Sequence, residues 1–278
     1  MVIGAVLVTL TGVVVVANFM GGEKKIQQRV ERHYPLDDPR FLNELGVLLG
    51  PPFIEGNRHQ VLQNGEEIFP AMPAAIRSAK TSITFETYIY WSGDRSRIRH
   101  VPGSSPTGVS ESMHLMYLFA ITAASRSIDL SVAYFVPDDL MLRALLAAVK
   151  RGVTLRIVVP GEHIDSETVR SASRAKWGPL LEAGAVIAEY KPTMFHCKVM
   201  IVDGLMVSVG STNFDNRSFR LNDEATLNIA DAEFAKQQTA IFEVDLSRSR
   251  RITFAEWRAR PLKEKIGERL ASLLGSQL

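Results

Sequence analysis

A turn dipeptide between two apolar runs constrains the fold of this chain more than any other feature. Residues 195–202 and 205–209 are rich in β-branched side chains, and Asp203-Gly204 separates them. Asp-Gly between such runs is the strongest short-range signal for a β-hairpin with a two-residue turn. We therefore predict a hairpin in which Val202 pairs with Leu205.

Polar residues are spaced regularly along this hairpin. The run from His196 to Asn213 reads H-x-K-x4-D-x6-G-S-x-N, and this spacing occurs once in the chain. In the predicted pairing His196 lies opposite Ser211. Because side chains alternate along strands, four polar side chains are expected on one face of the hairpin: His196, Lys198, Ser211 and Asn213.

An imidazole, an ammonium, a hydroxyl and an amide at one end of a hairpin would form an oxyanion site. A neutral imidazole can attack phosphorus, while the other three groups offset charge on the non-bridging oxygens. The set has no carboxylate cluster suited to a divalent ion, so we expect no metal and no cofactor. A lone histidine in a strand is usually a packing residue, but six specified positions in eighteen favour a site.

The chain resembles the phospholipase D superfamily and, within it, the bacterial cardiolipin synthases. The resemblance lies in residues 134–138, 160–166, 192–198 and 211–224. It implies that His196 attacks a phosphodiester to give a phosphohistidine and that Glu224 orients this imidazole. It further implies that a second histidine protonates the leaving glycerol, and that another phosphatidylglycerol resolves the intermediate. The predicted catalytic set is His196, Lys198, Asp203, Ser211, Asn213 and Glu224.

These synthases carry two such motifs in one chain, related by an internal repeat. Here residues 75–83 match residues 120–128 through the pattern A-I-x-x-A-x-x-S-I, and each copy leads into a predicted strand. The offset of 45 residues is too short to hold the first histidine motif and the elements around it. We infer an internal deletion near residues 94–97.

Helix and strand patterns alternate through most of the chain. The predicted helices are 68–79, 111–124, 138–151 and 166–183, and the predicted strands are 83–90, 130–135, 153–159 and 186–190. Asp138 is a predicted N-cap, and Gly152 and Gly184 are predicted helix stops. We expect an α/β, phospholipase D-like fold. It would have a mixed, largely parallel sheet flanked by helices, with one complete repeat and one truncated repeat.

Residues 2–20 carry no charge. As a helix they would span about 28 Å, close to the roughly 30 Å of a bilayer core. Basic residues follow this stretch and none precedes it, which places the body in the cytoplasm. A cleaved signal peptide is the alternative, but a basic n-region is missing. We predict a single-pass anchor in the bacterial inner membrane.

These features predict four segments. Residues 1–22 form a transmembrane anchor, 23–60 a juxtamembrane segment, 61–108 the truncated first repeat with a linker, and 109–278 the catalytic repeat. The hydrophobic content of 46% is sufficient for a core, and a net charge of +2 is ordinary for a folded protein. The single cysteine excludes an intrachain disulfide and a cysteine zinc site.

Three residues outside the motif are candidate substrate ligands. His163 follows a predicted sheet strand, where ligands of open α/β sheets bind. Arg217 and Arg220 can hold a lipid phosphate in bidentate fashion. A surface or structural role is a close alternative for each. A further basic cluster suits an anionic membrane surface or, equally, a solvated helix face: Arg248, Arg250, Arg251, Trp257, Arg258 and Arg260.

Three interpretations remain open. Two chains can meet so that His196 of each completes a composite site for phosphatidyl transfer or a related phosphodiesterase reaction. The chain can instead be a catalytically impaired relative, or a binding subunit that pairs with a full-length homologue. A missing general acid costs roughly 10² to 10⁴ in rate. The apolar N-terminus and residues 213–217 favour phosphatidylglycerol over nucleic acid as the substrate, and they imply a membrane partner.

Overall fold

The computed structural model describes residues 30–49, 53–83, 112–220 and 224–273. Contacts divide the chain into two compact units. The smaller unit is Phe53–Pro106, and the larger combines Met1–Pro52 with Thr107–Leu278. In chain order the first two helices are α1 (Pro39–Leu49), in the larger unit, and α2 (Asn64–Ser78), in the smaller one. Helix α2 confirms a helix in the region predicted over 68–79, but it begins four residues earlier.

The rest of the larger unit alternates strands and helices and ends in two short helices. The elements are α3 (Ser112–Ala123), β1 (Ser127–Val132), β2 (Phe135–Val136), α4 (Asp139–Lys150), β3 (Thr154–Pro160), α5 (Glu167–Glu182), β4 (Val186–Tyr190), β5 (Lys198–Val202), β6 (Met206–Gly210), β7 (Phe214–Asp215), α6 (Asn216–Arg220), β8 (Thr226–Ala230), α7 (Ala232–Ser247), β9 (Ser249–Ile252), α8 (Phe254–Ala259) and α9 (Leu262–Ser272).

Seven strands form one sheet in the order β8-β6-β5-β1-β3-β4-β9, and β2 pairs with β7 beside it. The predicted mixed α/β sheet is confirmed, but "largely parallel" is wrong. Only β1-β3 and β3-β4 are parallel in the large sheet, and the other four neighbouring pairs are antiparallel. Parallel neighbours need long crossovers, which α4 and α5 provide. Of the antiparallel pairs, β5-β6 is joined by a short turn, and the other three join strands that are not consecutive in the chain.

Both faces of the sheet centre are covered. Ile128 and Leu130 of β1 are fully buried on one face. Asp129 is buried on the other face, where it accepts two hydrogen bonds of 2.7 and 2.8 Å from the Arg156 guanidinium. The same guanidinium donates to Glu243 of α7 at 2.6 Å. Helix α7 therefore covers the Asp129 face, and the sheet lies between helical layers as predicted.

The local helix signals are confirmed to within one or two residues. Asp138 caps α4 by accepting a 2.7 Å hydrogen bond from the Met141 amide. Gly152, just after α4, has a φ of +96°, and Gly184, just after α5, has a φ of +97°. Only glycine adopts this left-handed conformation without a steric cost, so both residues stop their helices.

The hairpin β5-β6 forms, but its register differs from the prediction by one residue. The turn lies where expected, with Asp203 and Gly204 both at positive φ and Leu205 N–H donating to the Val202 carbonyl at 3.0 Å. Pairing resumes at Met206 rather than Leu205. Leu205 is thus an extra residue, like that of a β-bulge. A shift of one residue exchanges the faces of β6, so Ser208 shares the face of Lys198.

Some predictions fall outside the described residues, namely the anchor at 2–20, the strand that was expected to end at residue 90, and the junction at 94–97. Within the ranges that the structure describes, no helix is long and apolar enough to cross a bilayer. The four predicted segments stay predictions.

Candidate active site

His196 lies exposed just before β5, at the sheet edge where several chain segments meet. The Tyr134 ring stands edge-on to the imidazole, with 5.9 Å between ring centroids. Ala133 N–H donates to the Cys197 carbonyl at 2.8 Å, and Phe214 N–H donates to the Tyr134 carbonyl at 3.0 Å. These two bonds hold the Tyr134 backbone between the histidine segment and the β7 segment.

Lys198, the first residue of β5, is buried beside the histidine. Its Nζ donates to the His196 carbonyl at 3.1 Å. Burial lowers the pKa of Lys198, and the nearby acidic side chains oppose this by favouring the ammonium. These include Glu224, Asp165 and Asp215. The lysine therefore places a poorly solvated positive charge close to the imidazole.

The surroundings of His196 favour its neutral form. The residue is exposed, but the neighbouring chain partly desolvates the imidazole and so lowers its pKa; the Lys198 charge lowers the pKa further, and the Asp165 carboxylate acts in the opposite direction. A pKa below the usual range keeps the imidazole unprotonated near neutral pH. This is the form that can attack phosphorus.

Asp165 and Tyr134 are site residues that the sequence reasoning missed. The Tyr134 hydroxyl donates to Asp165 Oδ2 at 2.6 Å, which holds the carboxylate near the imidazole. Asp165 lies in the loop between β3 and α5 and is exposed. Both residues lie in the segments 134–138 and 160–166 that carry the family resemblance, and this was the available signal.

Gly210 and Ser211 position the segment that carries Glu224. Ser211 N–H donates to the Ala225 carbonyl at 2.9 Å, and Ala225 N–H donates to Ser211 Oγ at 2.9 Å. A Cβ at Gly210 would overlap the Ala225 carbonyl and the Thr226 backbone. The Ser211 hydroxyl was predicted to offset charge on a phosphate, yet here it contacts the Ala225 backbone.

Acidic and amide groups complete the site behind Lys198. The charge of Glu224 acts on Lys198, on Tyr117 and on buried Asp215. Burial raises the pKa of Asp215 to about 6, although the Ser218 amide, which donates to Oδ1 at 2.7 Å, opposes the shift. Asn213 is also buried, and its Oδ1 has no hydrogen-bond partner among the described residues. A buried acceptor of this kind is costly unless a donor reaches it.

Asp203 lies at the other end of the hairpin from His196, and its catalytic role stays a prediction. The seven residues from His196 to Asp203 would span about 23 Å as extended chain. The Asp203 carboxylate accepts hydrogen bonds from the amides of Ser125, Arg126 and Ser127 at 2.9, 2.7 and 2.9 Å. The structure therefore does not bring Asp203 close to His196. Instead, the Asp203 carboxylate joins the hairpin turn to the loop before β1.

The predicted substrate ligands are placed less specifically. His163 is exposed in the same loop as Asp165. Arg217 is exposed on α6, and its positive charge partly offsets the rise in the pKa of Asp215 that burial causes. The side chain of Arg220 lies outside the described part of the chain. Across residues 30–49, 53–83, 112–220 and 224–273, no group of three or more His, Cys, Asp or Glu side chains could hold a metal ion.

The basic cluster near the C-terminus has one buried member, and two others make contacts with the rest of the domain. Arg260 is buried and forms an ion pair with Glu268 at 2.6 Å. Arg250 pairs with Glu189 at 3.0 Å. Trp257 Nε1 donates to the Arg174 carbonyl at 2.8 Å. The exposed members are Arg248, Arg250, Arg251 and Arg258.

Comparison with known proteins finds relatives of the larger unit. A family model described as "Cardiolipin synthase, PLD-like domain" matches residues 117–246. Cardiolipin synthase A of Serratia proteamaculans is 38% identical over 170 residues, which cover 61% of this chain and 35% of that protein. Cardiolipin synthase A of Klebsiella pneumoniae is 39% identical over 171 residues, covering 62% and 35%. The chain thus spans about a third of the length of these curated relatives.

Two solved structures are similar to parts of this chain, and the first of them shares its fold. Phosphatidylserine synthase of Haemophilus influenzae superposes with a TM-score of 0.50 at 15% identity, covering 62% of this chain and 46% of that one. The phospholipase D family member Nuc of Salmonella typhimurium is 28% identical, with a TM-score of 0.46, over 54% of this chain and 94% of that one. Residues 117–246 of this chain are therefore similar to the phospholipase D-like domain of cardiolipin synthases.

Proposed function

We propose that this chain is a membrane-bound phosphatidyltransferase of the cardiolipin synthase type, which condenses two phosphatidylglycerols to cardiolipin and glycerol. The observation that carries the proposal is the exposed imidazole of His196, with a lowered pKa, beside buried Lys198. The likeness to cardiolipin synthases over 170 residues supports the choice of substrate.

The reaction divides into two displacements at one phosphorus. In the first, an imidazole nitrogen of His196 attacks the phosphodiester, the bond from phosphorus to the headgroup glycerol oxygen breaks, and an acid protonates the departing oxygen. In the second, a hydroxyl of another phosphatidylglycerol attacks the phosphohistidine and gives up its proton to a base, the bond from phosphorus to the imidazole nitrogen breaks, and His196 is released as a neutral imidazole. The Lys198 ammonium offsets the negative charge that builds on the non-bridging oxygens in both steps.

The acid and base must come from outside the single motif. We propose that a second copy of this chain, or a full-length homologue, supplies its own histidine across a shared site. This accounts for a chain with one H-x-K-x4-D spacing. The N-terminal anchor and the cytoplasmic body belong to the same proposal, since a headgroup reaction needs the site at a bilayer surface.

The second candidate is a catalytically impaired relative that acts as a membrane-bound binding subunit. The single motif is the observation that favours it, because loss of a general acid alone lowers a rate by roughly 10² to 10⁴. A single-motif phosphodiesterase or nuclease is the other enzyme alternative. The three candidates differ in whether His196 becomes phosphorylated and by which substrate.

The experiment is a trapping assay. The full-length chain in detergent is mixed with phosphatidylglycerol labelled at the phosphorus, quenched in alkali, and digested for mass spectrometry of phosphohistidine. The transferase proposal expects label on His196, loss of label in His196→Ala, and retention of label in the exposed-histidine control His33→Ala. Phosphohistidine is acid-labile, so an acid quench should remove the label.

Two results would contradict the transferase. If the wild-type chain, with His196 intact, acquires no label but binds a full-length synthase, the binding-subunit interpretation is the one that remains. Cleavage of single-stranded DNA without any turnover of phosphatidylglycerol would identify a nuclease. EDTA should leave lipid turnover nearly unchanged, and a loss that magnesium restores would refute the proposed mechanism.

A further inference from the structure

The outer face of α9 carries a row of exposed apolar side chains. Leu262, Ile266 and Leu270 are 72%, 53% and 61% exposed, and Leu273 at the helix end is 69% exposed. Residues four apart lie on the same side of a helix, so these four form one stripe, which we call the α9 stripe. A contiguous apolar stripe of this kind on a folded surface indicates an interaction site.

Ion pairs fix the direction in which this stripe points. Glu268 is buried, accepts from the Arg260 guanidinium at 2.6 Å, and lies 3.2 Å from Arg174 Nε on α5. Glu264 lies 3.5 Å from Arg174 Nη2. One turn further on, Ala271 packs against the buried cluster that contains Val169. Helix α9 cannot roll to bury its stripe without separating these pairs.

The charges on α9 are divided between its two faces. Its two glutamates, Glu264 and Glu268, lie on the face towards α5, where they pair with arginines. At 100° per residue, Lys263 borders one edge of the α9 stripe and Arg269 borders the other, and both side chains are exposed. The outward surface is therefore apolar along its middle and positively charged along both edges.

We propose that the α9 stripe docks into the interface of a phospholipid bilayer that contains anionic headgroups. An amphipathic helix with an apolar face flanked by cations lies in the plane of such an interface, where its apolar side chains reach the acyl boundary and its cations meet phosphates. A second copy of this chain fits the surface less well. Twofold pairing of α9 stripes would bring Lys263 and Arg269 of both copies into one interface, where like charges repel. The proposal stands whether or not His196 turns over lipid.

The test measures the depth of α9 in a membrane with the full-length chain. In a Cys197→Ser background, a cysteine is introduced by Ile266→Cys or, as a matched exposed position on α7, by Lys236→Cys. Each is labelled with an environment-sensitive fluorophore and reconstituted into vesicles of phosphatidylcholine, alone or mixed with phosphatidylglycerol. Lipids brominated in the acyl chain serve as quenchers. Both labelled variants have the same N-terminal residues, so a difference in quenching between the two positions reports the depth of α9 alone.

We expect strong quenching at position 266 in vesicles that contain phosphatidylglycerol, weaker quenching in phosphatidylcholine alone, and little at position 236 in either. Leu270→Cys should repeat the result for position 266, which guards against a disturbed label site. Lys263→Gln and Arg269→Gln should each weaken docking about fivefold. Unfolding temperatures of the variants check that α9 still packs on α5.

Three results would overturn the proposal. Position 266 could be quenched no more than position 236 in anionic vesicles. It could be quenched equally in both kinds of vesicle and be unaffected by removal of the two cations. Alternatively, energy transfer between labelled chains at position 266 without lipid would show that a second copy covers the stripe.

Discussion

The phenol of Tyr134 donates a 2.6 Å hydrogen bond to Asp165, and the same ring stands edge-on to His196. One side chain thus connects the end of β1, the loop after β3 and the proposed nucleophile. Because the hydroxyl fixes the carboxylate, Asp165 acts on the imidazole from a defined place, and its charge favours the protonated form. The pair therefore opposes part of the lowering of the His196 pKa that burial and Lys198 cause.

The first prediction concerns this pair. Asp165→Asn removes the negative charge that raises the pKa of His196, so that pKa should fall further below its usual value. The acid limb of the pH profile for phosphohistidine formation should then move to lower pH, because the imidazole stays neutral in more acidic solution. The measurement is the rate of labelling against pH. An acid limb that stays in place, or moves to higher pH, contradicts the assignment of Asp165 as a group that raises the pKa of His196.

Tyr134→Phe is the companion variant. It keeps the ring beside His196 but releases the Asp165 carboxylate, so its pH profile should shift in the same direction by a smaller amount. A role of Tyr134 in packing alone would leave the profile unchanged and would alter only the stability.

The second prediction concerns Gly210. In Gly210→Ala the new methyl would overlap the Ala225 carbonyl, so β8 must move away from β6. We expect the free energy of unfolding to fall by about 1–3 kcal/mol, as for other overpacked sites. Labelling of His196 should fall too, because Ala225 follows Glu224. Chemical denaturation measures the first effect and trapping the second.

Gly267→Ala on α9 is the matched control, since a Cβ there meets nothing within 4 Å. This substitution in a helix should be neutral or stabilising. Equal losses of stability in the two variants would mean that the close approach of Gly210 to Ala225 is not the cause.

The register of the hairpin shows where sequence reasoning was sufficient and where it failed. Asp203-Gly204 correctly located the turn, because few other residues adopt two successive left-handed conformations. The same dipeptide does not determine whether pairing resumes at Leu205 or at Met206. That choice depends on contacts of β6 with β8, which are distant in sequence. Since one residue exchanges the faces of a strand, the predicted grouping of Ser211 with Lys198 failed for this reason.

The third prediction separates the structural role of Asp203 from its predicted catalytic role. Asp203→Asn replaces one carboxylate oxygen with a donor that faces backbone amides, so hydrogen bonds to Ser125 or to Arg126 and Ser127 are lost. The free energy of unfolding should fall by about 1–3 kcal/mol. The rate of His196 labelling per folded molecule should stay the same. Asp37→Asn, at an exposed position, is the control for stability. A large loss of labelling without a loss of stability would return Asp203 to the catalytic set.

Spacing alone could not reveal this difference, because a motif lists residues without saying which end of a hairpin each occupies. Lys198 and Asp203 are five residues apart in sequence, yet Lys198 lies beside the His196 segment and Asp203 joins the turn to the loop before β1.

The antiparallel edges of the sheet were missed for a similar reason. The helix-strand alternation predicted β1, β3 and β4 correctly, whereas β9 pairs with β4 through contacts between residues about sixty positions apart.

The last prediction tests whether two chains share one site. If one His196 acts as nucleophile and the partner's His196 as acid, a mixed pair of wild-type and His196→Ala chains keeps a single histidine and should lose nearly all transfer. Wild-type chains are therefore mixed with increasing excess of His196→Ala chains, with subunit exchange followed by energy transfer. Transfer activity per wild-type chain should fall as the mutant excess grows, because fewer wild-type chains find a wild-type partner. Activity per wild-type chain that stays flat while exchange proceeds would rule out a shared site and leave a mechanism with one histidine.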